Sequence, residues 1–246
     1  MKNKRSMDYL FKELYLRYYS DYEPYEAFLF HAQEEFNGIS LAGKEILEIG
    51  SGRGAFSVYM ALAGGAKKVI ALDESEGFGA DGTYLHRLEE IVQKHAVSNL
   101  KTIKADITKT IFPEETFDVI VANFSLHHVI RSSWYLFKNA RAKKDLIELC
   151  SSLRGYLRKN GTIVLREMSR SNFWRFMPYR WKMSHIDWEI HPTLQEWLWV
   201  LRTAGFDNPS YTFLTPYFLS KWPSVLIRNR LANFFFSSTF YLYGKK

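Results

Sequence analysis

The chain has 246 residues, of which 47% are hydrophobic and 17% aromatic, and it carries a formal net charge of +7 at pH 7. That length gives one large domain with a core big enough to need no structural metal, and the single cysteine, Cys150, excludes an intramolecular disulfide and fits a reducing compartment. No window reaches the ~18 uninterrupted apolar residues of a membrane span, and the charged, aromatic N-terminus has no signal-peptide character, so the expected location is cytoplasmic, free or in peripheral contact with a membrane. The positive charge favours anionic partners: nucleic acid, a phospholipid surface or an acidic small molecule.

Residues 7–37 read as helical, with a break around Tyr22 to Tyr25, where Pro24 suits a first helical turn. Residues 1–43 are expected to form an N-terminal helical cap, and 44–246 the main domain. Strand and helix signals then alternate. KEILEIG (44–50), KKVIALD (67–73), NLKTIKAD (99–106), TFDVIVANF (116–124) and GTIVLRE (161–167) read as strands. Between them Leu85, Leu88, Ile91, Val92 and His95 follow a helical period, as do Leu146, Ile147, Cys150, Leu153 and Leu157, with Asn160-Gly161 as the stop. Cys150 thus falls in a helix core. Thr193 and Glu196 have capping-box spacing, and Gly205 ends that helix. Such alternation gives a parallel sheet with right-handed crossovers. The tail differs: PSYTFLTPYF and FFSSTFYLYGKK read as two late strands flanking a helical insert (219–234), which predicts an antiparallel strand at the sheet edge.

The central motif is Glu48-Ile49-Gly50-Ser51-Gly52-Arg53-Gly54-Ala55, between a strand and a helix. Its glycines let the backbone turn sharply and approach a ligand, and the helix N-terminus favours negative charge. Gly50, Gly52 and Ala55 also satisfy the dinucleotide fingerprint G-x-G-x-x-A, and Asp73, closing the next strand, suits either ligand because both present ribose hydroxyls. Three features favour a methionine-like nucleoside. Glu48, wasteful beside a pyrophosphate, can orient an ammonium group. Asp106 can accept from an adenine amino group while Ile107 covers the ring. The fourth strand ends in polar Asn123.

With these motifs in order, residues 44–210 resemble the class I S-adenosylmethionine (SAM)-dependent methyltransferases: EILEIGSGRG their first motif, KVIALD the second, KAD and FPEETFDVI the third and fourth, LRGYLRKNGTIVLRE and TLQEWLWVLRTAGF the later segments. SLHHV after Asn123 is similar to the small-molecule branch typified by ubiquinone and menaquinone biosynthesis methyltransferases. The resemblance implies a doubly wound, mostly parallel seven-stranded Rossmann-like sheet and SAM as cofactor. It implies that Gly50, Gly52 and Gly54 line the methionine part with Ser51 beside them, Glu48 lies beneath, Asp73 binds ribose, Asp106 and Ile107 hold adenine, and the Asn123 backbone faces the amino-acid end. Arg53, Glu74 and the glycine-rich 76–83 stretch depart from the family pattern.

Methyl transfer is an in-line displacement that needs a base only if the acceptor must lose a proton. His127 and His128, just past the fourth strand, are the catalytic candidates. His185, His191 and Glu167 are further candidates on the acceptor side. Residues 168–192, with interleaved Arg and aromatic side chains, are expected to cap the pocket over a ligand with a ring body and an acidic group. The leading expectation is methylation of oxygen or carbon on a small-molecule or lipid-linked acceptor. The alternatives are an RNA methyltransferase, against which Asn123 lacks a following Pro-Pro-aromatic and no RNA-binding module is evident; a noncatalytic module on the same fold; and a nicotinamide dehydrogenase. No compact ligand cluster stands out, so no metal is expected.

Overall fold

The computed structural model describes residues 4–74, 82–130, 138–177 and 187–246. His185 and most of the 76–83 stretch lie outside the described residues. Seven strands form one sheet: β1 (Glu45–Ile49), β2 (Lys68–Asp73), β3 (Leu100–Lys104), β4 (Phe117–Asn123), β5 (Leu157–Met168), β6 (Asp207–Phe213) and β7 (Thr239–Lys245). Their order is β3-β2-β1-β4-β5-β7-β6. β1 to β5 pair in parallel, and β7 runs antiparallel to both β5 and β6.

The doubly wound, mostly parallel sheet is the one expected, with its antiparallel member one place in from the edge. Sequence chemistry explains that position. β6 carries Pro209, which has no N–H for a ladder and so suits an edge. β7 offers Phe240, Tyr241 and Leu242, all fully buried, and is paired on both sides. β6 ends at the carboxyl edge of the sheet, beside Phe240, and the insert that follows returns the chain at the same end. β7 must therefore run downward.

Side chains alternate between two cores. Leu47, Ile49, Ile120, Ala122, Ile163 and Leu165 face one layer, containing α6 (Ala140–Tyr156) and α7 (Leu194–Thr203). Ile46, Val69, Val119, Val121 and Val164 face the other, formed by α1 (Lys4–Tyr18), α2 (Tyr25–Glu35), α3 (Ala55–Ala61) and α4 (Tyr84–Lys94). The period of two is what a sheet covered on both faces requires. Cys150 is buried in the first core. In the second core, Phe11, Tyr15 and Phe28 of α1 and α2 stack on one another and on Phe56 and Tyr59 of α3. The N-terminal helices thus share a core with the sheet.

α6 ends at Tyr156 and passes directly into β5 at Leu157, four residues before Asn160-Gly161. The Lys246 ammonium donates to the Gly155 and Leu157 carbonyls at 3.1 and 2.6 Å, an end cap supplied from the far end of the chain. α7 begins with the Thr193–Glu196 capping box. Of residues 168–192, those described form two short 3-10 turns, Trp174–Phe176 and Trp188–Ile190. The insert holds a 3-10 turn (Tyr217–Leu219), α8 (Ser224–Ile227) and α9 (Arg230–Phe236).

Candidate active site

The carboxyl ends of β1, β2, β3 and β4 open into one cavity of about 1170 Å3, walled on the far side by α1 and α2 through Tyr15, Tyr19, Tyr22 and Phe28. Small-molecule pockets usually fall within roughly 300–1,000 Å3, so this one has room for a cofactor and an acceptor together.

The loop after β1 is set by local chemistry. Gly50, Gly52 and Gly54 all adopt positive φ, at 71°, 50° and 84°, a region that penalises any side chain. Gly50 and Ser51 donate to the Leu72 carbonyl, and Gly52 donates to Asp73 Oδ2 at 2.8 Å, so the acid that closes β2 holds the loop in place. Ser125, in the turn after β4, donates to the Ile49 carbonyl at 2.7 Å and joins the two turns.

Glu48 is buried on β1, and Ser57 of α3 donates to it. Burial pushes its carboxyl up to about 8, against the hydrogen bond from Ser57. Tyr19 is buried nearby. Burial, reinforced by the carboxylate of Glu48, raises its phenol well above the usual range, and its hydroxyl has no partner among the described residues. Asp106 and Ile107 line the cavity after β3. The Asp106 carboxylate accepts from the Thr108 N–H and hydroxyl and pairs with Lys109 at 3.1 Å; these donors hold it below the usual range despite partial burial. Asn123 ends β4 with its side-chain amide buried beside Glu35.

The histidines of the short helix α5 (Leu126–Val129) separate in role. His127 is buried, and its Nδ1 lies 2.6 Å from Glu167 Oε2 at the end of β5. Burial pulls its imidazole down to about 3. Burial pushes Glu167 up to about 8, opposed by His128 and by backbone donors at His127 and Leu126. His127 Nε2 has no partner among the described residues. His128 lines the same cavity, half-buried, and is drawn down to about 4 by burial. The His191 ring lies tilted against that of His127 at 4.3 Å and is held to about 3 by burial. The loop, Asp73, Glu48, Asp106, Ile107, Asn123, His127 and His128 thus meet at one cavity. No group of three or more His, Cys, Asp or Glu among the described residues is disposed to hold a metal.

Some site residues escape sequence reading. Glu35 of α2 is fully buried, pushed up to about 7 by burial, with Arg166 and Asn123 opposing. Arg166 Nη1 stands 4.0 Å from it, and its guanidinium lies over the Phe124 and Tyr241 rings at 5.0 and 5.7 Å. Nothing in the helical pattern of 25–35 marks Glu35. Arg53, a departure from the motif, reaches across to both Asp21 oxygens at 2.9 and 3.0 Å and clasps the α1–α2 turn to the loop.

This strand order, with a glycine loop after β1 and an acid after β2, is a Rossmann-like fold shared with solved SAM-dependent methyltransferases. Residues 46–143 match the family described as Methyltransferase domain. The chain is 26% identical over 173 residues to the PKS-NRPS hybrid synthetase cheA of Chaetomium globosum, and 32% identical over 123 residues to protein arginine N-methyltransferase 2 of Dictyostelium discoideum. These matches cover 66% and 50% of this chain but only 3% and 20% of those proteins. A SAM-dependent methyltransferase structure from Aquifex aeolicus superposes with a TM-score of 0.58 at 15% identity, covering 100% of this chain and 99% of that one. A Haemonchus contortus phosphoethanolamine N-methyltransferase superposes at 0.61 and 14% identity, covering 91% and 53%.

The residues present fit SAM. A buried carboxylate at Glu48 can face an ammonium group. Backbone at Gly52 stands with nothing within 4 Å of where a side chain would be. The Tyr19 and Ser51 hydroxyls, without a partner among the described residues, are buried polar atoms of a kind that native structures seldom leave unsatisfied.

Proposed function

We propose that the chain transfers a methyl group from SAM to a carbon or oxygen atom of a small-molecule or lipid-linked acceptor, and that His127 takes the proton the acceptor must lose. The observation that carries this reading is the buried His127–Glu167 pair, with Nε2 unpartnered among the described residues in a histidine that lines the cavity. Gly50, Ser51, Gly52 and Gly54 hold the methionine portion, Glu48 its ammonium, Asp73 the ribose, and Asp106 and Ile107 the adenine, with Asn123 at the amino-acid end.

When bound, SAM supplies an electrophilic methyl and a neutral leaving group. The chain's work is alignment and one proton transfer. An acceptor aligned in the cavity would lose its proton to His127 Nε2 as the methyl passes to it and the sulfonium S–C bond breaks. Glu167, accepting from Nδ1, fixes the tautomer and stabilises the imidazolium. For this, Glu167 must be ionised. A nearby sulfonium favours that state in a site whose burial alone disfavours it.

The test is transfer of labelled methyl from SAM in a cell extract, with mass spectrometry of the product to locate the methyl. His127→Ala is expected to slow transfer by about 10²–10⁴-fold and leave SAM affinity unchanged. A methyl found on a nucleobase nitrogen, or full activity in His127→Ala, contradicts the reading.

A further inference from the structure

We infer that residues 217–236 form a docking face for an anionic phospholipid bilayer, at the same end of the sheet as the cavity. Phe218, Trp222, Val225, Leu226, Leu231 and Phe236 are each more than half exposed. Monomeric soluble proteins rarely gather large apolar side chains in this way without a partner.

The face is held rigidly from beneath. Ile227, Ala232 and Asn233 turn inward and are buried. Asn229 caps α9 through the Ala232 N–H at 2.9 Å, and Asn233 donates to the Thr239 carbonyl at 2.6 Å. Arg228 pairs with Glu34 of α2 and donates to Thr215 at 3.0 Å. The Phe173 N–H donates to the Phe234 carbonyl at 2.9 Å. With its inner side fully engaged, the insert cannot fold its apolar side away.

Charge identifies the occupant. Residues 208–246 contain no Asp or Glu. Lys221 and Arg230 are exposed and in no ion pair among the described residues. Long cationic side chains flanking Trp, Phe and Leu are the pattern of an interfacial segment, whose apolar groups enter the acyl boundary while its cations meet anionic headgroups. The location fits. α9 leads into β7, whose Thr239 pairs with Met168, the neighbour of Glu167. The face therefore rises from the same end of the sheet as the cavity. For its purpose, delivery of a membrane-held acceptor, the inference rests on the proposed function; the surface itself is carried by other residues.

The test is sedimentation of the full chain with vesicles of phosphatidylcholine plus phosphatidylglycerol, and with phosphatidylcholine alone, beside calorimetric SAM binding without lipid. Binding to the anionic vesicles, weakened by salt, is expected. The double variant Leu226→Asp/Leu231→Asp should bind them more than about tenfold less well with SAM affinity unchanged. If that variant loses SAM affinity through misfolding, Leu231→Ser takes its place with the same expectation. Absence of native binding to either vesicle, equal binding by the variants, or a native dimer that the variants split without any vesicle binding would each overturn the inference. Vesicle binding alone settles this surface, and transfer to a water-soluble acceptor settles the chemistry.

Discussion

Gly50, Gly52 and Gly54 share a backbone conformation but not a neighbourhood. A Cβ at Gly50 would stand 2.3 Å from the Ser125 Cβ, and one at Gly54 would stand 2.5 Å from Leu88 Cδ1. At Gly52 it would meet no protein atom within 4 Å. Gly50 and Gly54 are therefore required by packing, and Gly52 by whatever fills the cavity. Gly52→Ala is expected to fold with a loss of about 1–2 kcal/mol for its left-handed backbone and to bind SAM far more weakly than that loss explains. Thermal melting and calorimetry on one preparation check it, and unchanged affinity would place the ligand elsewhere. Asp73, proposed to bind ribose, already accepts from the Gly52 N–H. Asp73→Ala should weaken SAM binding by about 1–3 kcal/mol through lost hydrogen bonds. An affinity equal to that of the native chain would remove Asp73 from the ribose site.

At the scale of elements, what was legible in the sequence is what is local. Buried parallel strands read as continuous apolar runs, and β1, β2 and β4 appear where EILEI, KVIALD and FDVIVAN stand. The capping box of α7 spans three residues and was legible for the same reason. What was not legible depends on partners far away in the chain. α6 stops early because Lys246 meets its last turn. His127 and Glu167 are 40 positions apart and are joined only because β4 and β5 are neighbours. Arg53 breaks the motif when read alone and makes sense beside Asp21, 32 positions upstream. That clasp suggests a test of the cap. Asp21 is exposed, so the pair adds little stability, and its work is to hold the α1–α2 turn over the loop. Arg53→Ala is expected to leave the melting temperature nearly unchanged and to weaken SAM binding several-fold. The difference should shrink at high salt, because screening loosens the native clasp too. A large drop in melting temperature would mean that Arg53 supports the fold instead.

Over the whole molecule, the site buries ionisable groups whose effects on stability oppose one another. Glu35, Glu48 and Glu167 are pushed by burial from 4.5 to about 7, 8 and 8. The folded chain keeps protons that the unfolded chain releases between these limits, so stability falls as pH rises through that window. His127, His128 and His191 are pulled by burial from 6.5 to about 3, 4 and 3. Here the unfolded chain takes up protons that the folded chain refuses, so stability falls as pH drops below 6.5. The two slopes offset each other between about pH 4.5 and 6.5. Above that range only the carboxyl term remains. The ligand-free protein should therefore lose melting temperature from pH 6.5 to 8.5. On the proposed placement, SAM would reverse the sign of that environment, because its ammonium and sulfonium would favour ionised Glu48 and Glu167. Binding should release protons near neutral pH, and the rise in melting temperature on adding SAM should grow from pH 6 to 8.5. Melting curves with and without SAM across that range test both parts. A flat ligand-free curve would mean the buried carboxyls are ionised before SAM arrives, and a ligand shift independent of pH would place its cationic groups away from them.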